Sequence, residues 1–498
     1  MASGPILAID QGTTSTRALV YDDQARCLGS AAREFQQHYP KPGWVEHDAE
    51  DIWQSVADVV PRALQAAGVG PKSLAGIGLT NQRETTVIWE RAGGKPIARA
   101  IVWQDRRTAD FCRNRQKDEP WLQERTGLVL DPYFSGTKIR WLLDQDPQAR
   151  TAAAAGRLAC GTIDAFLVWR LTGGAVHATD VSNASRTLLL NLGTAAWDDD
   201  LCRWLDVPRA LLPEVRPSSA SYGTTRGLGF LPDGIPILGV AGDQQAALFG
   251  QGAFSPGEAK CTYGTGAFFL LHLGDQPKLS RCRLLTTLAA TTDDRPQYAL
   301  EGSVFVAGAA VQWLRDELKV IGSADQTEAL AEKSDPDQPI LFVPGLVGLG
   351  APHWLPDARG VVFGLTRNTT AADLARAALD GVALQVADLV EAADADATAP
   401  LAELRVDGGM ARNAWFLQRQ SDLLGLPVLQ AAQSESTALG AAFLAGLKAG
   451  VWPDLGSLRK LLSQARRFEP KMNAVDRQGK RDDWRRAVRT VIEFYTAK

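Results

Sequence analysis

The chain is 498 residues long and carries 53 Lys and Arg against 57 Asp and Glu, a net charge of −4 that argues against a protein built mainly to grip nucleic acid. At roughly 150 residues per domain the length exceeds one ordinary hydrophobic core, which predicts two or three domains with a cleft between the larger ones. No apolar run approaches the roughly 20 residues of a membrane helix, no basic-then-apolar start predicts a signal peptide, and six cysteines with neither a CxxC pair nor zinc-like His spacing predict reduced thiols in the cytosol.

The first predicted element is a hairpin. Ile6-Leu7-Ala8-Ile9 and Ala18-Leu19-Val20-Tyr21 read as strands, and between them stand Asp10-Gln11-Gly12-Thr13-Thr14-Ser15-Thr16-Arg17. Glycine lets the backbone come close, N–H groups at a turn form an anion concavity, and the hydroxyls add donors for phosphoryl oxygens. The stretch is read as a hairpin-type phosphate loop, distinct from GxxxxGK[ST]. Asp10 at the strand end can hold a metal, and an ordinary hydroxyl-rich hairpin turn is the alternative.

Residues 48–67 predict a helix with Asp48 as its cap and Ile52, Trp53, Val56, Val60, Ala63 and Leu64 on a core-facing stripe. Pro61 is expected to kink or break it. The strand-like run Gly76-Ile77-Gly78-Leu79-Thr80 then leads into Asn81-Gln82-Arg83-Glu84. An arginine fork beside a carboxylate can read adjacent hydroxyls of a polyol, or it can be a structural pair at a loop, and spacing alone leaves both open. Trp103 and Tyr133 offer an apolar wall and a hydroxyl, or simply core.

Ile237-Leu238-Gly239-Val240-Ala241-Gly242 is another strand, running into Asp243-Gln244-Gln245. Asp243 there can take a proton from a substrate hydroxyl, can cap a helix beginning near Gln245, or can do both. The breaker-rich run from Phe249 to Gly257 predicts a domain boundary near residues 250–256, dividing the chain into 1–250 and 251–498. Beyond it Tyr263-Gly264-Thr265-Gly266 is similar in kind to the first turn, and Val406-Asp407-Gly408-Gly409 precedes Asn413 and a helix with Phe416 and Leu417. That glycine pair can pass close to a nucleotide or can be a tight strand-to-helix turn. Acid-glycine and hydroxyl-glycine turns recurring after strands would arise from two similar α/β halves facing one nucleotide.

These segments together resemble the FGGY carbohydrate kinase family. The resemblance spans nearly the whole chain through residues 10–17, 39–48, 81–86, 131–138, 241–245, 263–266, 347–352, 364–367 and 407–413. It implies an α/β fold of two ribonuclease-H-like, actin-like ATPase domains, each a central mixed sheet flanked by helices, with the active site in the interdomain cleft. It implies ATP-dependent phosphorylation of glycerol to sn-glycerol 3-phosphate, the opening step of glycerol catabolism, with ATP/ADP and Mg²⁺ as cofactors.

The resemblance further implies that Arg83, Glu84, Tyr133, Asp243 and Gln244 bind glycerol, that Trp103 and Phe268 wall its carbon side, and that Asp243 is the base. Thr13, Thr14, Ser15 and Arg17 are implied at the nucleotide phosphates, and Thr265, Gly308, Gln312, Gly409 and Asn413 around the rest of ATP or ADP. Asp10, read from its place at the strand end, is expected to position Mg²⁺, directly or through water. A homo-oligomer, dimer or tetramer, stays open; nucleic acid and a membrane span are not expected.

Two departures limit the transfer. Some bacterial members are inhibited by fructose 1,6-bisphosphate through a glycine- and arginine-containing loop, where this chain has Gly227-Leu228-Gly229-Phe230-Leu231-Pro232-Asp233-Gly234, with an acid and no arginine. The surface that some enteric members offer to a sugar-transport regulator is not recognisable around residues 468–478. The rival readings are a family member acting on xylulose, ribulose, gluconate or erythritol, and an actin- or Hsp70-like protein that uses ATP to drive binding.

Overall fold

The computed structural model describes residues 4–432, 435–462 and 464–497. Two mixed sheets organise it. The first is built from β1 (Ile6–Gln11), β2 (Ser15–Tyr21), β3 (Cys27–Glu34), β4 (Gly76–Asn81) and β5 (Ile237–Gly242), in the order β5-β4-β1-β2-β3. The second holds β6 (Ala259–Tyr263), β7 (Ala267–Gly274), β8 (Leu285–Leu288), β9 (Tyr298–Val304), β10 (Leu404–Asp407), β11 (Val428–Ala431) and β12 (Gln464–Phe468), in the order β8-β9-β7-β6-β10-β11-β12.

The two sheets repeat one pattern. Each has a three-stranded antiparallel meander, β1-β2-β3 or β6-β7-β9, with a parallel strand beside its first member and a second parallel strand beyond. The equivalent hairpin turns are Gly12-Thr13-Thr14 and Gly264-Thr265-Gly266, the two hydroxyl-glycine turns singled out from sequence. A smaller five-stranded sheet includes Thr86–Glu90, which follows directly on Arg83 and Glu84.

Helices cover the sheets, so the central strands are apolar on both faces; every residue of β4 is buried. Helix α1 (Ala49–Ala67) lies on β2 and β3, capped by the Asp48 carboxylate accepting from the Glu50 N–H. It runs unbroken through Pro61, against the expectation of a break. A proline inside a helix costs about 3 kcal/mol through the lost hydrogen bond and the clash of its ring with the preceding turn, and the buried stripe of Ile52, Val56, Val59, Val60, Ala63 and Leu64 outweighs it. Trp53 sits at the edge of that stripe, its ring 5.6 Å from Phe230.

After β5 comes α2 (Asp243–Gly250), which begins at Asp243 itself rather than near Gln245. The second half adds α3 (Gly308–Asp316), the long α4 (Ala371–Asp396) with a Thr370/Asp373 capping box, α5 (Ala414–Leu424) and α6 (Ser436–Ala449). Helix α6 packs not on its own sheet but on β1, β4 and β5 of the first. The approach is close: a β-carbon on Gly78 would lie 2.2 Å from the Ala441 carbonyl oxygen. One buried cluster therefore joins Ile6, Ala8 and Ala241 to Ala438, Ala442 and Phe443.

Candidate active site

Arg83 and Glu84 leave the end of β4 in a turn that holds Glu84 at φ 60°, a left-handed conformation that a non-glycine residue keeps only when its surroundings impose it. The Ser135 and Thr86 hydroxyls impose it by donating to the Glu84 carbonyl at 2.9 and 3.0 Å. The two side chains are buried and sit among opposite charges. Arg83 donates to Glu301 through both terminal nitrogens, at 2.5 and 2.8 Å, and to Gln245 Oε1 at 3.2 Å. Arg186 donates to Glu84 at 2.6 Å and to Glu301 at 3.1 Å.

One edge of Arg83 is ion-paired without a hydrogen bond. Its Nε lies 3.2 Å from Asp243 Oδ1 and 3.9 Å from Glu84 Oε1, yet among the described residues it is buried without a hydrogen-bond partner. A buried N–H left unpaired costs free energy unless something else accepts from it. Burial raises the Asp243 carboxyl above its usual range, with Arg83 and Lys260 pulling the other way. Burial raises Glu84 as well, against Arg83 and Arg186. Glu301 goes the opposite way: burial alone would raise it, but Arg186 and Arg83 outweigh burial and hold it at about 2.

Lys260 on β6 connects the site to the second sheet. Its Nζ donates to Gln244 Oε1 at 2.5 Å, Thr262 Oγ1 at 3.1 Å and the Phe268 carbonyl at 3.2 Å. Gln244 donates its backbone N–H to Asp243 Oδ1 at 2.8 Å, so Asp243 also serves the first turn of α2. Trp103 stands edge-on to Tyr133 and Phe268, with ring centroids 5.6 and 6.4 Å away, and the three aromatic residues line one side.

Trp103 also reaches the hydroxyl turn, donating from Nε1 to Thr13 Oγ1 at 2.9 Å. The turn itself is closed by the Gly12 N–H on the Ser15 carbonyl and braced by Gln82, which donates to the Gly12 carbonyl at 3.1 Å. Behind Gln82 stands His47, 3.3 Å away at Nδ1, whose Nε2 pairs with Gln37 Oε1 at 2.6 Å. Thr14 and Arg17 are exposed, and Arg17 pairs with Glu435 at 2.6 Å.

In the second half, backbone bonds knit Thr265 to α3: Ala307 N–H reaches the Thr265 carbonyl at 2.9 Å and Gly308 N–H the Gly264 carbonyl at 3.0 Å. The glycine pair after β10 divides its work. Gly408, at φ 91°, leaves no room, since a β-carbon there would lie 2.4 Å from the Tyr263 carbonyl oxygen, while one on Gly409 would meet nothing within 4 Å. Gly408 thus serves the tight turn, and Gly409 leaves backbone open to solvent. Asn413 caps α5 by accepting from the Phe416 N–H, and Gln312 is exposed on α3.

Residues 5–250 match the FGGY family of carbohydrate kinases, N-terminal domain, and residues 259–449 match its C-terminal domain. The chain belongs to the FGGY family of carbohydrate kinases. A glycerol kinase of Methylobacterium nodulans is 55% identical over 492 residues, covering 97% of each chain. One of Rhizobium rhizogenes is 55% identical over 494 residues, covering 98% of this chain and 99% of its own. The crystal structure of Plasmodium falciparum glycerol kinase with ADP superposes with a TM-score of 0.92 at 36% identity, covering 99% of both chains. A gluconate kinase of Lactobacillus acidophilus, 21% identical with a TM-score of 0.89, shares the fold. The two-domain actin-like ATPase architecture expected from sequence is the FGGY fold observed.

The donors of this FGGY chain fit Mg²⁺. Among the described residues nothing donates a hydrogen bond to the Asp10 carboxylate, and burial raises it to about 7, with Arg17 opposing and Asp243 and Glu435 reinforcing the rise. Such an excess of negative charge suits a cation.

Sequence reasoning missed Glu301, Arg186 and Gln245. Glu301 had a signal: it is the single charged residue of Tyr298–Val304, and a carboxylate inside a buried strand requires a cationic partner. Which cation could not be read, because Arg83 lies 218 positions away.

Proposed function

We propose that the chain transfers the γ-phosphoryl group of ATP to a terminal hydroxyl of glycerol, giving sn-glycerol 3-phosphate and ADP. The observation that carries this is the buried Arg83 Nε, which lies 3.2 Å from the Asp243 carboxylate and 3.9 Å from that of Glu84 yet makes no hydrogen bond. A hydroxyl there accepts from Nε while donating to a carboxylate, which polyol oxygens do and apolar ligands do not. The acceptor is named glycerol because relatives 52–55% identical over nearly the full length carry that name, with Trp103, Tyr133 and Phe268 as the wall against longer sugars.

Asp243 takes the hydroxyl proton as the oxygen attacks phosphorus and the bond to ADP breaks; its raised pKa makes it a better base than an exposed aspartate. Gln244 and Glu84 orient the other hydroxyls. Thr13, Thr14, Ser15 and Arg17 receive the phosphates, Arg17 exchanging Glu435 for a phosphoryl oxygen. Thr265, Gly308, Gln312, Gly409 and Asn413 surround the rest of the nucleotide. Mg²⁺ at Asp10 would neutralise charge on the phosphates. We place the enzyme in the cytosol, where its six free cysteines stay reduced.

A coupled ADP-release assay across glycerol, erythritol, xylulose, ribulose and gluconate tests the reading. Turnover that depends on glycerol is expected. A higher kcat/KM with a ketose or gluconate overturns the acceptor, and ATP turnover indifferent to every polyol favours an ATP-driven binding protein.

A further inference from the structure

Glu301 belongs to β9 of the second sheet, whereas Arg83 belongs to the turn after β4 of the first. Both side chains are buried, with Glu301 at 0% exposure and Arg83 at 2%. Their bond is two-pronged, and a third prong comes from Arg186, itself 0% exposed. A guanidinium has five N–H donors in a rigid plane, so the carboxylate that grips NH1 and NH2 decides which edge remains. Here that edge carries Nε–H and the second N–H of NH2, with Nε turned to Asp243 and Glu84.

We infer that Glu301 is a positioning residue for glycerol recognition: it locks the Arg83 fork from across the domain boundary so that the edge carrying Nε reads the substrate hydroxyl. This rests on Arg83 being a polyol-binding residue. The alternative geometry, with Arg83 free to turn its fork toward Asp243, would give a bidentate ion pair in the place of the hydroxyl. Glu301 competes that pair away. It also neutralises Arg186, which leaves a single hydrogen bond from Arg186 to orient Glu84. Polyol affinity is thereby linked to the relative position of the two sheets, since Glu301 moves with one and Arg83 with the other.

The test is steady-state kinetics of Glu301→Gln and Glu301→Asp with glycerol and ATP varied separately, alongside melting curves and ADP titrations. Glu301→Gln is expected to raise the glycerol KM about 10- to 100-fold, the scale of a buried charge-assisted hydrogen bond, with the ATP KM within about twofold. Glu301→Asp keeps the charge and is expected to recover part of the loss. In an Arg83→Ala background Glu301→Gln should add little. An unchanged glycerol KM in folded Glu301→Gln, an equal loss for ATP, or failure of both variants to fold overturns the inference. Arg83→Ala separates the failures: a large glycerol loss there with none in Glu301→Gln overturns Glu301 alone, and no loss in Arg83→Ala overturns the reading beneath it.

Discussion

Gly440 on α6 faces Ala246 on α2 so closely that a β-carbon on Gly440 would stand 1.8 Å from the Ala246 carbonyl oxygen. The contact is reciprocal, since one on Gly250 would stand 2.0 Å from the Ser436 carbonyl oxygen. The helices that follow the equivalent strands β5 and β11 thus cross backbone to backbone at the junction of the two sheets. Gly440→Ala must push them apart. A loss of about 1–3 kcal/mol or more in unfolding free energy is expected from overpacking, with a raised glycerol KM because α2 carries Asp243 and Gln244. A urea titration with wild-type midpoint would contradict this.

Asp243→Asn keeps the shape and the Gln244 contact but removes the proposed base. The expected outcome is a kcat lower by about 10²- to 10⁴-fold with melting temperature unchanged. Near-normal kcat in folded protein would remove Asp243 from the chemistry.

Trp103 joins the aromatic wall to the hydroxyl turn through its bond to Thr13. Trp103→Phe keeps a ring and deletes that donor. About 0.5–1.5 kcal/mol, or roughly two- to tenfold, is expected to appear in the ATP KM, whereas Trp103→Ala should also loosen discrimination between glycerol and longer polyols. If Trp103→Phe alters glycerol kinetics alone, the bond to Thr13 is not used by the nucleotide.

His47, His177 and His272 each sit at about 4 instead of 6.5, chiefly because burial disfavours the cation. Their unfolded forms take up protons first as pH falls, so the stability they contribute is present above about 6.5 and is lost as pH drops through that value toward 4. Unfolding at a series of pH values should show stability rising with pH across this window. His47→Asn should flatten the slope, at lower stability near neutrality because Gln82 and Gln37 each lose one of their hydrogen bonds; an undiminished slope would assign the dependence elsewhere.

Much of the candidate site's layout was legible because strands announce their ends. Asp10, Arg83, Asp243 and Gly408 each follow an apolar run at the point where the sequence turns polar or glycine-rich, and the fold repeats one topology that brings such ends together. Pairing across that repeat was not legible. Lys260 reaches Gln244 and Glu301 reaches Arg83 only after two sheets are docked, a fact of three-dimensional packing that no local period records. Pro61 misled for a related reason: the local cost of a proline inside a helix was legible, and the buried face that outweighs it forms only in the packed molecule.

The placement of α6 on the first sheet bears on synthesis at the ribosome. Strand β5 ends at Gly242 and α6 starts at Ser436, so at about 5–20 residues per second roughly 10–40 s separate the emergence of the two. Throughout that interval the face holding Gly78 and Gly239 has no cover. The amino-terminal half therefore keeps an apolar face uncovered until α6, within the last 63 residues of the chain, emerges, and separately expressed halves should aggregate where the whole chain folds.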